Sequence, residues 1–215
     1  MKKIIFICEG QTEQMFCDKI LKPHFNSLGI IIEYPLIIHS NGGIVKWNHL
    51  KLQIENHYAS DNVAIITTFI DYYGIEDYHN FPDWNLAKRE SDIGKTINFV
   101  QASMKKSILG NAKNQFVPYI QLHEFEALLL CDYRAFVEYY IPSEYNAAGL
   151  HTLCSLNPEE VNNGLTTAPS KRIIQNIPGF DKVNAGPDIC SLIGLTIIRG
   201  KCPRFNMWLS ALGAI

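Results

Sequence analysis

Four short apolar runs, each ending at a polar or acidic residue, constrain this chain more than any other feature. They are Ile4–Cys8, Ile30–Ile38, Val63–Ile70 and Phe116–Leu122. All are rich in β-branched or aromatic residues, and they lack the polar alternation of a half-exposed strand. Strands buried on both faces read this way. Helical patterns fill the gaps. Thr12 can cap a helix carrying Met15, Phe16, Ile20 and Leu21, kinked or ended at Pro23. Residues 45–58 are predicted helical. Ile93, Ile97, Val100, Met104 and Ile108 recur at steps of four, three, four and four, which predicts a long amphipathic helix. This alternation predicts an α/β fold with a four-stranded, mainly parallel sheet, flanked by helices and joined by right-handed crossovers.

Beyond residue 140 the strand signals stop. Short helical pieces alternate with Pro and Gly up to a last helix opened by Pro203, which carries Phe205, Trp208, Leu209 and Leu212. The expected organisation is an α/β core over 1–140 and a helical C-terminal appendage over 141–215, packed as one unit. At 47% apolar and 19% charged, the chain supports a real core, which excludes the disordered and low-complexity classes. No stretch reaches the roughly 18 uncharged apolar residues of a membrane span. The five-residue apolar run after Met-Lys-Lys is too short for a secretory signal. The six cysteines (8, 17, 131, 154, 190, 202) form no Cys-x-x-Cys pair. A disulfide scaffold and a structural zinc site are therefore not expected, and a reducing cytoplasm fits.

In an open parallel sheet, ligands bind beyond the carboxyl ends of the strands. The residues falling there are Glu9, His39, Asp71 and the group His123, Glu124 and Glu126. Clustered carboxylates repel one another, so such a set calls for a cation. Oxygen ligands with histidine at the margin suit Mg²⁺ or Mn²⁺ better than zinc. For Glu13 and Glu126 the competing reading is a helix cap or first-turn dipole partner. The aromatic loop Tyr72, Tyr73, Tyr78, Phe81 and Trp84 reads first as a small core and second as a base-stacking surface. Net charge is −2, so no overall basic field advertises nucleic acid, yet residues 1–169 carry −6 and residues 170–215 carry +4. Gly94-Lys95-Thr96 is no phosphate loop, because it lies inside the predicted long helix and Arg89 stands where the first glycine belongs. His123-Glu124 is no zinc-protease motif, because Ala127 stands where its second histidine belongs.

The string Cys8-Glu9-Gly10-Gln11-Thr12-Glu13 after a buried strand resembles the Glu-Gly-x-Thr-Glu opening of TOPRIM domains in overcoming-lysogenization-defect nucleases. The wider chain resembles the domain-of-unknown-function 4276 family of bacterial proteins. The resembling stretches are Gly42-Gly43, Phe69–Gly74, Tyr119–Leu129, Thr167–Arg172 and Cys202–Leu209. The resemblance implies a TOPRIM-like sheet and Mg²⁺- or Mn²⁺-dependent phosphodiester chemistry. It also implies an ATPase partner in a bacterial defence or mobile-element locus. It puts a general acid/base on Glu9 and metal ligands on an Asp-x-Asp at the third strand end. Here Asp71 matches that motif but Tyr73 replaces its second aspartate, so Glu124 or Glu126 has to supply the missing ligand.

The expected machinery is then Glu9, Asp71 and Glu124 as catalytic and metal-binding residues, with Glu13, His123 and Glu126 supporting them. Lys171, Arg172 and Arg204 would contact phosphates of a nucleic acid. A non-catalytic subunit that keeps the fold and binds the ATPase is the rival reading. A receiver-like phosphoacceptor at Asp71 fits less well, since only Glu9 stands at the end of the first strand. Homo-oligomerisation is left open by the sequence.

Overall fold

A computed structural model describes residues 2–38, 40, 43–161, 164 and 166–214; His39 and Gly42, both singled out above, lie outside the described residues. The sheet is parallel throughout. Its order is β2 (Ile30–Glu33), β1 (Lys2–Cys8), β3 (Ile65–Asp71) and β4 (Phe116–Val117), with β5 (Ile120–Gln121) also paired to β3. The central strands β1 and β3 face protein on both sides. Ile4, Phe6, Cys8, Ile65 and Phe69 point into one apolar cluster, whereas Ile5, Ile7, Ile66 and Ile70 point into the other. The absence of polar alternation in these runs is the direct consequence.

Two predicted strands are cut short, each at a proline. The second ends at Glu33 before Tyr34-Pro35, and the chain rejoins β1 only through Cys8, whose N–H reaches the Pro35 carbonyl at 2.9 Å. The fourth splits into β4 and β5 around Pro118, which has no N–H to give the ladder. The hydroxyls of β3 close that gap. Thr67 donates to the Val117 carbonyl at 2.6 Å, and Thr68 donates to the Tyr119 carbonyl at 2.8 Å while accepting its N–H at 3.0 Å. Two buried threonines thus satisfy backbone groups that a regular ladder would have paired.

One face of the sheet is covered by helix Trp47–Ser60, the aromatic loop after β3 and the long helix Ile93–Ser107. Phe81 and Trp84 are buried there, with Phe81 packed on Trp47 and Trp84 on Tyr72. The loop is a small core. The other face is covered by the N-terminal helices and by nearly everything after residue 124. Trp208 stacks on Tyr119 at 3.9 Å and donates its indole N–H to Thr67 at 2.9 Å, so the C-terminal helices form one of the two layers. The segment Phe125–Cys131 is a 3₁₀ helix buried along its whole length. With every residue enclosed, it has no solvent face to set a 3.6-residue pattern. All six cysteines are free and buried, including the close pairs Cys8–Cys17 and Cys131–Cys202.

Candidate functional site

Parallel pairing brings the ends of β1 and β3 to the same edge, side by side. Glu9 follows β1 directly, and its Oε2 accepts the backbone N–H of Asp71, the last residue of β3, at 2.8 Å. Glu13 lies one turn into the helix that begins at Gln11, and it accepts the Gly10 N–H at 2.8 Å. Glu126 enters from the buried 3₁₀ helix and is 0% exposed. A cavity of about 500 Å³ opens here, walled by Glu9, Glu13, Asp71, Leu36, Ile37 and Lys182 among others.

The electrostatics of this corner are unusual for a structural site. Asp71 is only 7% exposed and its Oδ1 has no hydrogen-bond partner, and neither carboxyl oxygen of Glu126 has one. Buried polar atoms are nearly always paired, so each of these calls for an explanation. Burial pushes the Glu9 carboxyl up to about 7; the acids Glu13 and Glu126 act in the same direction, and the Asp71 N–H and Lys182 oppose the rise. Burial likewise raises Asp71, with Glu9 and Glu13 adding to the effect, and it also raises Glu13 and Glu126. At neutral pH the Glu9 carboxyl is thereby poised between its two protonation states, beside three further acids whose burial favours the neutral form.

Lys182 is the residue that sequence reasoning missed. It is the first residue of helix Lys182–Ile193 and forms an ion pair with Glu126 at 3.3 Å, outside hydrogen-bond geometry. Desolvation works against its charge, but the surrounding carboxylates outweigh that and hold it firmly protonated. Gly186 lets this helix come close, since a Cβ there would stand 3.2 Å from the Phe125 ring. No local pattern announces Lys182; its partners precede it by 56 residues or more.

The other predicted residues are elsewhere. Glu124, expected as a metal ligand, has both oxygens engaged by Ser170, one taking its N–H and the other its hydroxyl, each at 3.0 Å. It therefore secures the start of helix Pro169–Asn176. On that helix Lys171 is exposed and Arg172 half-buried, and neither lines the carboxyl cavity. Arg204 reaches Asn98 at 2.9 Å and shares a second cavity with His123 and Glu159. His123 holds a left-handed backbone (φ 65°), and its Nε2 lies 3.2 Å from the Glu159 carbonyl. Glu9, Glu13, Asp71 and Glu126 gather; Glu124, His123 and the three cationic residues stand apart.

The donor chemistry suits a hard cation: carboxyl oxygens, three of them buried without hydrogen bonds. Among the described residues, however, no three His, Cys, Asp or Glu side chains are already gathered as a ligand set.

Fold and site together define an α/β protein of parallel-sheet type with a buried acidic cavity at the carboxyl edge. The chain belongs to the family described as domain of unknown function (DUF4276), whose family model matches residues 8–213. No curated protein and no solved structure matches it. Among the described residues no helix is long and apolar enough to cross a membrane.

Proposed function

We propose that the protein is a TOPRIM-like, Mg²⁺- or Mn²⁺-dependent nuclease or related phosphodiesterase, acting as the effector partner of an ATPase. One observation carries the reading: Asp71 ends β3 beside Glu9 with a buried, unpartnered oxygen, on a cavity large enough for a phosphoryl group. Glu9 and Asp71 would hold the cation. Of the two acids available to replace the missing aspartate, Glu126 is the one whose oxygens carry no hydrogen bond, Oε1 being held only by the ion pair with Lys182. A bound divalent cation would neutralise charge at the phosphate and make a water more acidic. In the empty cavity burial raises the Glu9 carboxyl to about 7, so Glu9 would serve as proton acceptor where it does not itself coordinate the cation. Exposed Lys171 and half-buried Arg172 offer basic contacts for the nucleic-acid backbone, with Arg204 on the second cavity.

The rival scaffold reading draws on Tyr73 and on the acids that are not yet gathered. Cleavage of DNA and RNA in Mn²⁺, with and without the ATPase, separates the two. On the nuclease reading, Asp71→Ala lowers turnover by about 100-fold or more, because it removes a group that acts on charge developing in the transition state. Cleavage by the complete complex that is unchanged in Asp71→Ala would leave the scaffold reading standing.

A further inference from the structure

Charge is poorly balanced in the carboxyl cavity. Among the described residues, three acids, Glu9, Glu13 and Asp71, line it together with Lys182, whose ammonium also pairs with the fully buried Glu126 behind the wall. The ammonium lies 3.3 Å from Glu126 Oε1 without hydrogen-bond geometry, so that one ion pair is all that engages a fully buried carboxyl with no hydrogen bond to either oxygen. The lysine side chain is itself 43% exposed, so a path to water is already open to it. A structural ion pair holding a buried acid would be expected to use the hydrogen bonds that Glu126 lacks. Asp71, nine-tenths buried with its own free oxygen, points to the same unmet demand for positive charge.

We propose that Lys182 is the resident counter-cation of this cavity, and that a divalent cation binds by displacing its ammonium from Glu126. The inference rests on the metal-dependent reading above and adds to it a residue that sets metal affinity. While the cavity is empty, Lys182 offsets part of the repulsion among the acids. When the cavity is filled, its positive charge opposes the incoming ion. The lysine thereby makes metal occupancy conditional on a high free cation concentration, and the site stays protected against collapse when it is low.

Titration of the full-length protein with Mn²⁺, read by the electron paramagnetic resonance of the free ion at fixed pH and ionic strength, tests this. Lys182→Met is expected to bind Mn²⁺ at least about tenfold more tightly than wild type, well within the Coulomb energy of like charges at this spacing. Lys182→Arg keeps the charge and the wild-type affinity, and Asp71→Asn loses the binding. In metal-free buffer Lys182→Met melts at a lower temperature, and Mn²⁺ raises its melting temperature more than that of wild type. Equal or weaker Mn²⁺ binding by Lys182→Met overturns the exchange while leaving the metal site in place. Absence of Mn²⁺ binding in every variant overturns the exchange and the metal-dependent reading together. If Lys182→Met does not fold, Glu126→Gln with and without Lys182→Met makes the same comparison with one buried charge fewer.

Discussion

Glu124 and Glu126 are two residues apart, yet they have opposite fates. Glu124 turns to Ser170 and has both oxygens engaged; Glu126 turns into the sheet-edge corner and has neither hydrogen-bonded. The same contrast separates the two regions these acids belong to. Around Ser170 a carboxylate is fully paired and secures a helix start. Around Asp71 several carboxyls are buried together with a single lysine among them. The difference teaches that acidity at a strand end does not mark a functional site. Unmet hydrogen-bonding capacity is the sharper pointer, because a fold that leaves a buried oxygen unpaired gives up stability there.

The largest expected effect is on the pH dependence of stability. A carboxyl whose folded-state pKa is raised favours the fold while protonated, and it costs stability once ionised. Glu9 rises from the ordinary carboxylate range to about 7, and Glu13, Asp71 and Glu126 shift in the same direction. Stability of the metal-free protein should therefore fall as pH climbs from about 4.5 to 7, by something on the order of 3 kcal/mol. Saturating Mn²⁺ should flatten that fall. Urea denaturation at each pH measures it, and a metal-free stability that rises through this window would make the two regions alike.

Next in size is a pair of substitutions with opposite outcomes. Glu124→Ala strands the Ser170 N–H and hydroxyl and should cost about 2 kcal/mol with or without divalent cation. Glu9→Gln still presents an oxygen to the Asp71 N–H while removing a charge. It should be as stable as wild type or slightly more so without cation, and it should abolish the Mn²⁺-induced thermal shift. A loss of about 1 kcal/mol in Glu9→Gln would reassign Glu9 to a capping role.

The smallest effect concerns the basic pair. Lys171→Ala combined with Arg172→Ala should change stability by no more than about 0.5 kcal/mol. It should also make nucleic-acid binding less steeply salt-dependent, by up to about 0.9 in the log–log slope for each phosphate the protein no longer neutralises. An unchanged slope removes these two residues from the binding surface.

The meeting of Glu9 with Asp71, and Glu13 close behind, was legible because topology alone dictates it; that Glu126 turns to this corner and Glu124 away from it was not. Parallel strands deliver their carboxyl ends to one edge, and both strand ends and the first helical turn can be read from apolar runs and a cap. The pairing of Glu124 with Ser170 spans 46 residues, and the approach of Lys182 to Glu126 spans 56. Each depends on how helices with no strand between them pack, which no periodicity encodes. The split of the fourth strand was visible in principle at Pro118, but its repair by Thr67 and Thr68 needs the third dimension. The 3₁₀ form of Phe125–Cys131 was hidden for another reason: a segment enclosed on every side shows the same apolar letters whatever its helical pitch.

The Trp208 layer carries a consequence for how the molecule comes into being. Its indole meets Thr67 across 141 residues of chain, and its ring stacks on a tyrosine 89 residues away. Contacts of such long range close slowly, since each must first overcome the entropy of the loop between its partners. During synthesis one face of β1 and β3, covered in part by the N-terminal helices, therefore waits for the helices beyond residue 182 to complete its apolar layer. Lys182 arrives with those same helices. The charge that tempers the acids thus joins them only as that layer forms, so the acids of this corner are made well before the lysine that offsets them.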